Sequence, residues 1–167
     1  MKDVLKGKVW KFGDDISTDL ITPGRYFHLR SDLNELAKHT LEDADPDFIK
    51  KISGGDFVVG GRNFGLGSSR EHAPTVIKIS GISAVLAKSF ARIFYRNAIN
   101  VGLPVIICDT DQIDTGDELI VSLTEGKIQN VTKKKEMDFP PLPKIMADIL
   151  NEGGLVNYIK KNGEYKI

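Results

Sequence analysis

Apolar residues along the chain fall into two kinds of stretch. Short continuous runs, Phe57–Gly60, Ile82–Ala87 and Leu103–Cys108, have the length and branched side chains of buried strands. Between them the apolar positions recur at helical spacing, over His72–Ser80 and over Phe90 to about Asn100. Pro74 fits the first turn of the former helix and Gly81 stops it. Ser89 is placed to cap the latter and Gly102 to close it. This strand–helix–strand–helix–strand order predicts crossover connections and a parallel sheet.

The flanks add to that core. Lys8–Phe12 reads as a first strand, and Gly13 to Arg30, which lacks periodicity, as a long loop of the kind that is usually functional or disordered. Ser31 or Asp32 can cap a helix running to about Leu41, and Asp45-Pro46 opens a short helix with Phe48 and Ile49 inward. Asp117–Leu123 and Lys127–Thr132 predict a hairpin, Lys133-Lys134-Lys135 a solvated turn, and Leu142–Leu150 and Leu155–Ile159 helix. The prediction is one α/β domain over residues 1–167 with an added β-hairpin.

Composition narrows the function. The chain has 167 residues, 41% hydrophobic and 28% charged, with 23 Lys plus Arg against 23 Asp plus Glu. That balance lacks the basic excess of nucleic-acid binders. No apolar run reaches membrane-spanning length, and Met1–Lys6 has no secretory core, so a cytoplasmic protein is expected. The single cysteine, Cys108, excludes an internal disulfide and is read as a small buried hydrophobe. An iron–sulfur cluster held by this chain alone would need more thiolates. His39 and His72 lack metal-ligand spacing and read as structural.

The segment richest in chemistry is Gly65-Leu66-Gly67-Ser68-Ser69-Arg70-Glu71, which follows a predicted strand and opens a predicted helix. Its glycines permit a sharp turn that exposes backbone N–H groups, beside two hydroxyls and a guanidinium able to grip a carboxylate or phosphate. It is neither a dinucleotide loop, a phosphate-binding lysine loop nor a nucleophile elbow. From the residues alone two readings stand: a small-anion site, or a serine that caps the helix beside a surface arginine. Asp19, in Ser17-Thr18-Asp19, is a solvated turn residue or a carboxylate held near a polar partner. Ser89–Asn100 reads as core with two structurally paired arginines.

These segments, in this order, resemble the small subunits of the aconitase superfamily. The match is to the short archaeal and bacterial type of the 3-isopropylmalate dehydratase family. It is carried by Gly7–Asp14 with Ser17-Thr18-Asp19, by Asn63–His72, by Ala87–Gly102 and by Gly153-Gly154-Leu155-Val156. The resemblance implies a swivelling β/β/α domain like the fourth domain of aconitase. It implies no cofactor on this chain and a large subunit carrying a [4Fe–4S] cluster. The implied substrate is a small dicarboxylate, and the reaction a dehydration and rehydration that isomerises 2- and 3-isopropylmalate in leucine biosynthesis. By resemblance Ser68 is the base, Ser69 and Arg70 hold substrate carboxylate, and Asp19 pairs with a histidine of the other subunit. The loop Gly24–Arg30 stands where the family reads the substrate's variable group, which brings in Tyr26, Phe27, His28, Leu29 and Arg30. Homoaconitase small subunits tend to carry arginine where His28 stands, so a homoaconitase or related branched-malate dehydratase is an alternative. A non-catalytic carboxylate-binding domain is another.

Overall fold

A seven-stranded mixed sheet of order β4-β3-β2-β1-β5-β6-β7 organises the chain; the structure, a computed structural model, describes residues 2–163. Strands β1 (Val4–Lys11), β2 (Phe57–Val59), β3 (Ala84–Ala87) and β4 (Val105–Ile107) form its parallel part. β1 is long because it serves two partners. Val9–Lys11 pair in parallel with β2, and Val4–Lys8 pair antiparallel with β5 (Glu118–Ser122).

The central strands are buried on both faces, which explains their unbroken apolar runs. Val58, Val85 and Val105 face the helices, in a core with Phe48, Val76, Ile77 and Phe94. Phe57, Val59 and Leu86 face the other way and meet Leu119, Val121 and Ile128 from β5 and β6 (Lys127–Asn130). The sheet therefore curls over itself, giving two β layers and one helical layer, the β/β/α order expected.

Helices α4 (His72–Ile79) and α5 (Arg92–Val101) are the two crossovers. Near the N-terminus, α2 (Leu33–Ala37) is capped by Asp32, whose Oδ1 accepts from the Glu35 N–H at 3.2 Å, and α3 spans Phe48–Lys51. α6 (Lys144–Asn151) and α7 (Leu155–Asn162) complete the helical layer.

Four expectations need correction. The stretch Gly13–Arg30 is not a featureless loop: Ser17 caps α1 (Thr18–Ile21), and a 3-10 turn spans Gly24–Leu29. The helix expected to reach Leu41 ends at Ala37 and continues as turns. Ser89 does not cap α5, which starts only after an extended Ala91. A parallel bridge between Phe64 and Phe90 keeps that segment extended, and Ser89 Oγ accepts from the Asn63 N–H at 2.9 Å instead. The hairpin is a three-stranded arm, because β7 (Lys135–Asp138) pairs with β6, so Lys135 belongs to a strand and not to the turn before it.

Candidate functional site

The carboxyl ends of parallel strands are the usual place for a ligand site, and three of them converge here. β1 leads into Phe12–Thr18, β2 into the glycine-rich turn, and β3 into Lys88–Ala91. Backbone bonds stitch these exits together. The Gly65 N–H donates to Ile16 O at 2.7 Å, the Thr18 N–H to Leu66 O at 2.8 Å, and the Ala91 N–H to Phe64 O at 2.9 Å.

Glycine is required twice in the turn. At Gly65 φ is +83°, and a Cβ would fall 2.1 Å from Cγ of Phe94. At Gly67 φ is +109°, and a Cβ would fall 3.1 Å from Thr18 Oγ1. Ser68 and Ser69 follow, both exposed. Neither caps α4: its N-cap is Glu71, with no side-chain bond. Among the described residues, nothing accepts from the backbone N–H groups of Gly67, Ser68, Ser69 or Arg70. Successive unclaimed N–H groups form a concavity suited to an anion.

Ser68 Oγ lies 3.2 Å from Thr18 Oγ1, at the start of α1. The next residue, Asp19, is exposed, and its Oδ1 accepts from the Gly24 N–H at 2.9 Å, which fastens the 3-10 turn to α1. Arg70 reaches Thr22 O at a long 3.5 Å and stands 5.3 Å from the centre of the Phe27 ring. Arg30 lies over the same ring at 4.5 Å. Neither guanidinium has a carboxylate partner among the described residues. Both line one cleft, with Thr22, Pro23, Leu36 and His72. Its volume is only about 10 Å³, room for about one water. Two guanidiniums thus border this small cleft with no carboxylate partner among the described residues, Arg30 donating instead to Phe27 O at 3.3 Å.

The structure brings Ser68, Ser69, Arg70, Asp19, Phe27 and Arg30 to this face. His28 is exposed on the same 3-10 turn. Tyr26 and Leu29 pack against the helical core instead. The Tyr26 ring stacks on His39 at 3.7 Å and its hydroxyl donates to Glu42 at 2.8 Å. Arg25 is likewise spent, gripping Asp43 through two bonds of 2.8 and 2.6 Å. That grip holds the Asp43 carboxyl below its usual range. The His39 ring and the Tyr26 hydroxyl do the same for Glu42.

Four neighbours of the turn stand outside the site residues expected from the sequence. Thr18 and Thr22 fall in the aperiodic Gly13–Arg30 stretch, and His72 lines the cleft. Asn97 of α5 also reaches the turn, donating to Ser69 O at 3.3 Å. The two α5 arginines, Arg92 and Arg96, are exposed and form no ion pair among the described residues, contrary to expectation.

The donor set does not fit an iron–sulfur cluster on this chain. Cys108 is 9% exposed, and burial pushes its thiol up to about 12, far from a thiolate ligand. Among the described residues no three His, Cys, Asp or Glu side chains are grouped to hold a metal ion, and no helix is long and apolar enough to cross a membrane.

A family model for the aconitase C-terminal domain matches residues 22–110. An Archaeoglobus fulgidus protein named 3-isopropylmalate dehydratase small subunit 2 is 68% identical over 161 residues, 96% of this chain and 98% of that one. A Thermotoga maritima protein named 3-isopropylmalate dehydratase small subunit 1 is 61% identical over 163 residues, 97% and 98% of the two chains. The crystal structure of a 3-isopropylmalate dehydratase (leuD) from Methanocaldococcus jannaschii superposes with a TM-score of 0.91 at 50% identity, covering 96% of this chain and 95% of that one. With that identity sustained over nearly its whole length, the chain belongs to the 3-isopropylmalate dehydratase small-subunit family, built on the aconitase C-terminal domain.

Proposed function

We propose that this chain is the small subunit of a hydro-lyase that isomerises 2-isopropylmalate and 3-isopropylmalate, the interconversion used in leucine biosynthesis. It acts as one swivelling domain on a large subunit. The observation that supports this best is the half-built site: among the described residues, a serine hydroxyl, unclaimed backbone N–H groups and two guanidiniums without a carboxylate partner share a face whose cleft is only about 10 Å³. A second chain is needed to enclose the substrate. The Lewis acid that hydroxide departure needs is assigned to a [4Fe–4S] cluster on that partner.

This chain supplies the proton chemistry and the grip. Dehydration removes a hydroxyl from one carbon and a proton from its neighbour. Ser68, as an alkoxide, takes the C–H proton and becomes a hydroxyl as hydroxide leaves the neighbouring carbon; on rehydration the serine hydroxyl gives a proton to the carbon that lost the hydroxide, and hydroxide adds to the carbon that lost the proton, so the two groups exchange places. A serine is a poor base unless its anion is stabilised, and the adjoining N–H groups and the Arg70 guanidinium provide positive potential. Arg70 and Ser69 hold a substrate carboxylate, which a planar guanidinium grips through two parallel bonds. Asp19 keeps one oxygen on Gly24 and offers the other to a histidine of the large subunit. Phe27, His28 and Arg30 border the substrate's variable group, with Tyr26 and Leu29 supporting the 3-10 turn from beneath.

Co-purified with its large subunit, the chain is expected to interconvert the two isopropylmalates, with kcat/KM well above that for homoaconitate. Preference for homoaconitate would move the assignment to the homoaconitase reaction. Carboxylate binding without turnover would make the chain a binding domain.

A further inference from the structure

We infer that Thr18 is a positioning residue for Ser68, its buried hydroxyl donating to Ser68 Oγ and turning the serine's own proton toward the open face. The inference rests on the reading of Ser68 as the base and adds the group that holds it.

The direction of the bond follows from burial. Thr18 is 3% exposed, and among the described residues its Oγ1 has one hydrogen-bonding partner, Ser68 Oγ at 3.2 Å. If Ser68 donated, the Thr18 proton would be buried without an acceptor, an arrangement folded proteins avoid. Ser68 is exposed, so its proton has water or substrate available. The satisfied arrangement has Thr18 donating.

Thr18 is held for that role from several sides. Its N–H donates to Leu66 O at 2.8 Å, within a parallel bridge between Ser17 and Leu66. Its carbonyl accepts from the Thr22 N–H at 2.8 Å and the Thr22 hydroxyl at 2.9 Å. A β-branched side chain has little rotamer freedom. The approach depends on Gly67, where a Cβ would stand only 3.1 Å from Thr18 Oγ1. A donor fixed in this way strengthens when its acceptor becomes an anion, so it favours the serine alkoxide over the serine hydroxyl.

The test uses Thr18→Val, which keeps the branched shape and loses the hydroxyl, and Thr18→Ser, which keeps the hydroxyl, each in the complex with the large subunit. Thr18→Val is expected to lower kcat about 10- to 100-fold, the range for a hydrogen bond to a charged group. KM should change little, and the rising limb of the kcat–pH profile should move to higher pH. Thr18→Ser should restore kcat to within a few-fold of wild type and return the limb. In a Ser68→Ala background, Thr18→Val should have no further effect on kcat. Wild-type kcat and pH profile in Thr18→Val, while Ser68→Ala loses turnover, would overturn the inference and leave Ser68 as base. So would an equal drop from Thr18→Val in both backgrounds, or a Thr18→Ser variant as impaired as Thr18→Val. If Ser68→Ala itself retains turnover, the base assignment falls and this inference with it. A Thr18→Val variant that melts earlier while its folded fraction turns over normally would mark Thr18 as structural and overturn the inference.

Discussion

Replacing Gly65 with alanine tests how tightly the glycine-rich turn is built into the core. Two independent costs act there. A left-handed backbone at φ +83° costs an L-residue roughly 1–2 kcal/mol. The new Cβ would also lie 2.1 Å from Cγ and 2.4 Å from Cβ of Phe94, whose side chain is only 2% exposed and packs edge-on against Phe64. Overpacking of that kind adds about 1–3 kcal/mol. The total is about 2–5 kcal/mol, which in a chain of this size lowers the melting temperature by about 5–15 °C. Gly116→Ala is the control, because its φ is +90° but nothing lies within 4 Å of the added carbon. It should cost only the backbone part, about 1–2 kcal/mol. Scanning calorimetry and urea unfolding of the isolated chain give both values. Equal losses at the two glycines would refute the claim that Phe94 buttresses the turn.

Other outcomes follow from the same geometry. Arg70→Lys should raise KM and lower kcat while the subunits still associate, because lysine keeps the charge and loses the fork; unchanged kinetics would make Arg70 a surface cation. His28→Arg should raise the ratio of kcat/KM for homoaconitate over isopropylmalate, since a guanidinium demands an anionic partner and disfavours an isopropyl group in a dry pocket; an unchanged ratio would remove the 3-10 turn from substrate recognition. Glu42→Gln bears on acid stability. The folded carboxyl is held below its ordinary value near 4.5 by His39 and then Tyr26, so its contribution is full above that value and lost as pH falls through the lower folded one. The variant should be less stable at neutral pH and lose stability less steeply below about pH 4.5, as read by urea midpoints across pH; parallel curves would show that Glu42 contributes nothing.

The sequence made the parallel core legible because its strands are buried on both faces and their apolar runs admit few other readings. Ser31 and Asp32 both read as caps, and the role falls to Asp32, whose Oδ1 accepts from the Glu35 N–H. Ser89 satisfies the same rule and fails it, since the bridge from Phe64 to Phe90 holds that segment extended and gives Ser89 another donor. β7 was invisible because a charged edge strand, Lys135-Glu136-Met137-Asp138, carries no alternating apolar signal. Within the candidate site, the turn from Gly65 to Arg70 announces itself through its residue types. Thr18 does not: its contact with Ser68 joins positions 50 residues apart through a bridge that only the folded sheet creates. Tyr26 is the converse case, an aromatic in a loop whose hydroxyl and ring are committed to Glu42 and His39.

Turnover of Ser68→Ala in the assembled enzyme, set beside its melting temperature, tests the central claim most directly. Ser68 is exposed and, among the described residues, caps no helix and makes one side-chain hydrogen bond, to Thr18. Its loss leaves the buried Thr18 hydroxyl without that partner, so it should cost about 1–3 kcal/mol of stability, with substrate still held by Arg70. As the base it contributes about 10²–10⁴-fold to the rate, so kcat should fall by at least two orders of magnitude with KM nearly unchanged. Ser69→Ala, as the loss of a carboxylate ligand, should instead raise KM more than it lowers kcat. A Ser68→Ala enzyme that turns over at the wild-type rate would contradict the account.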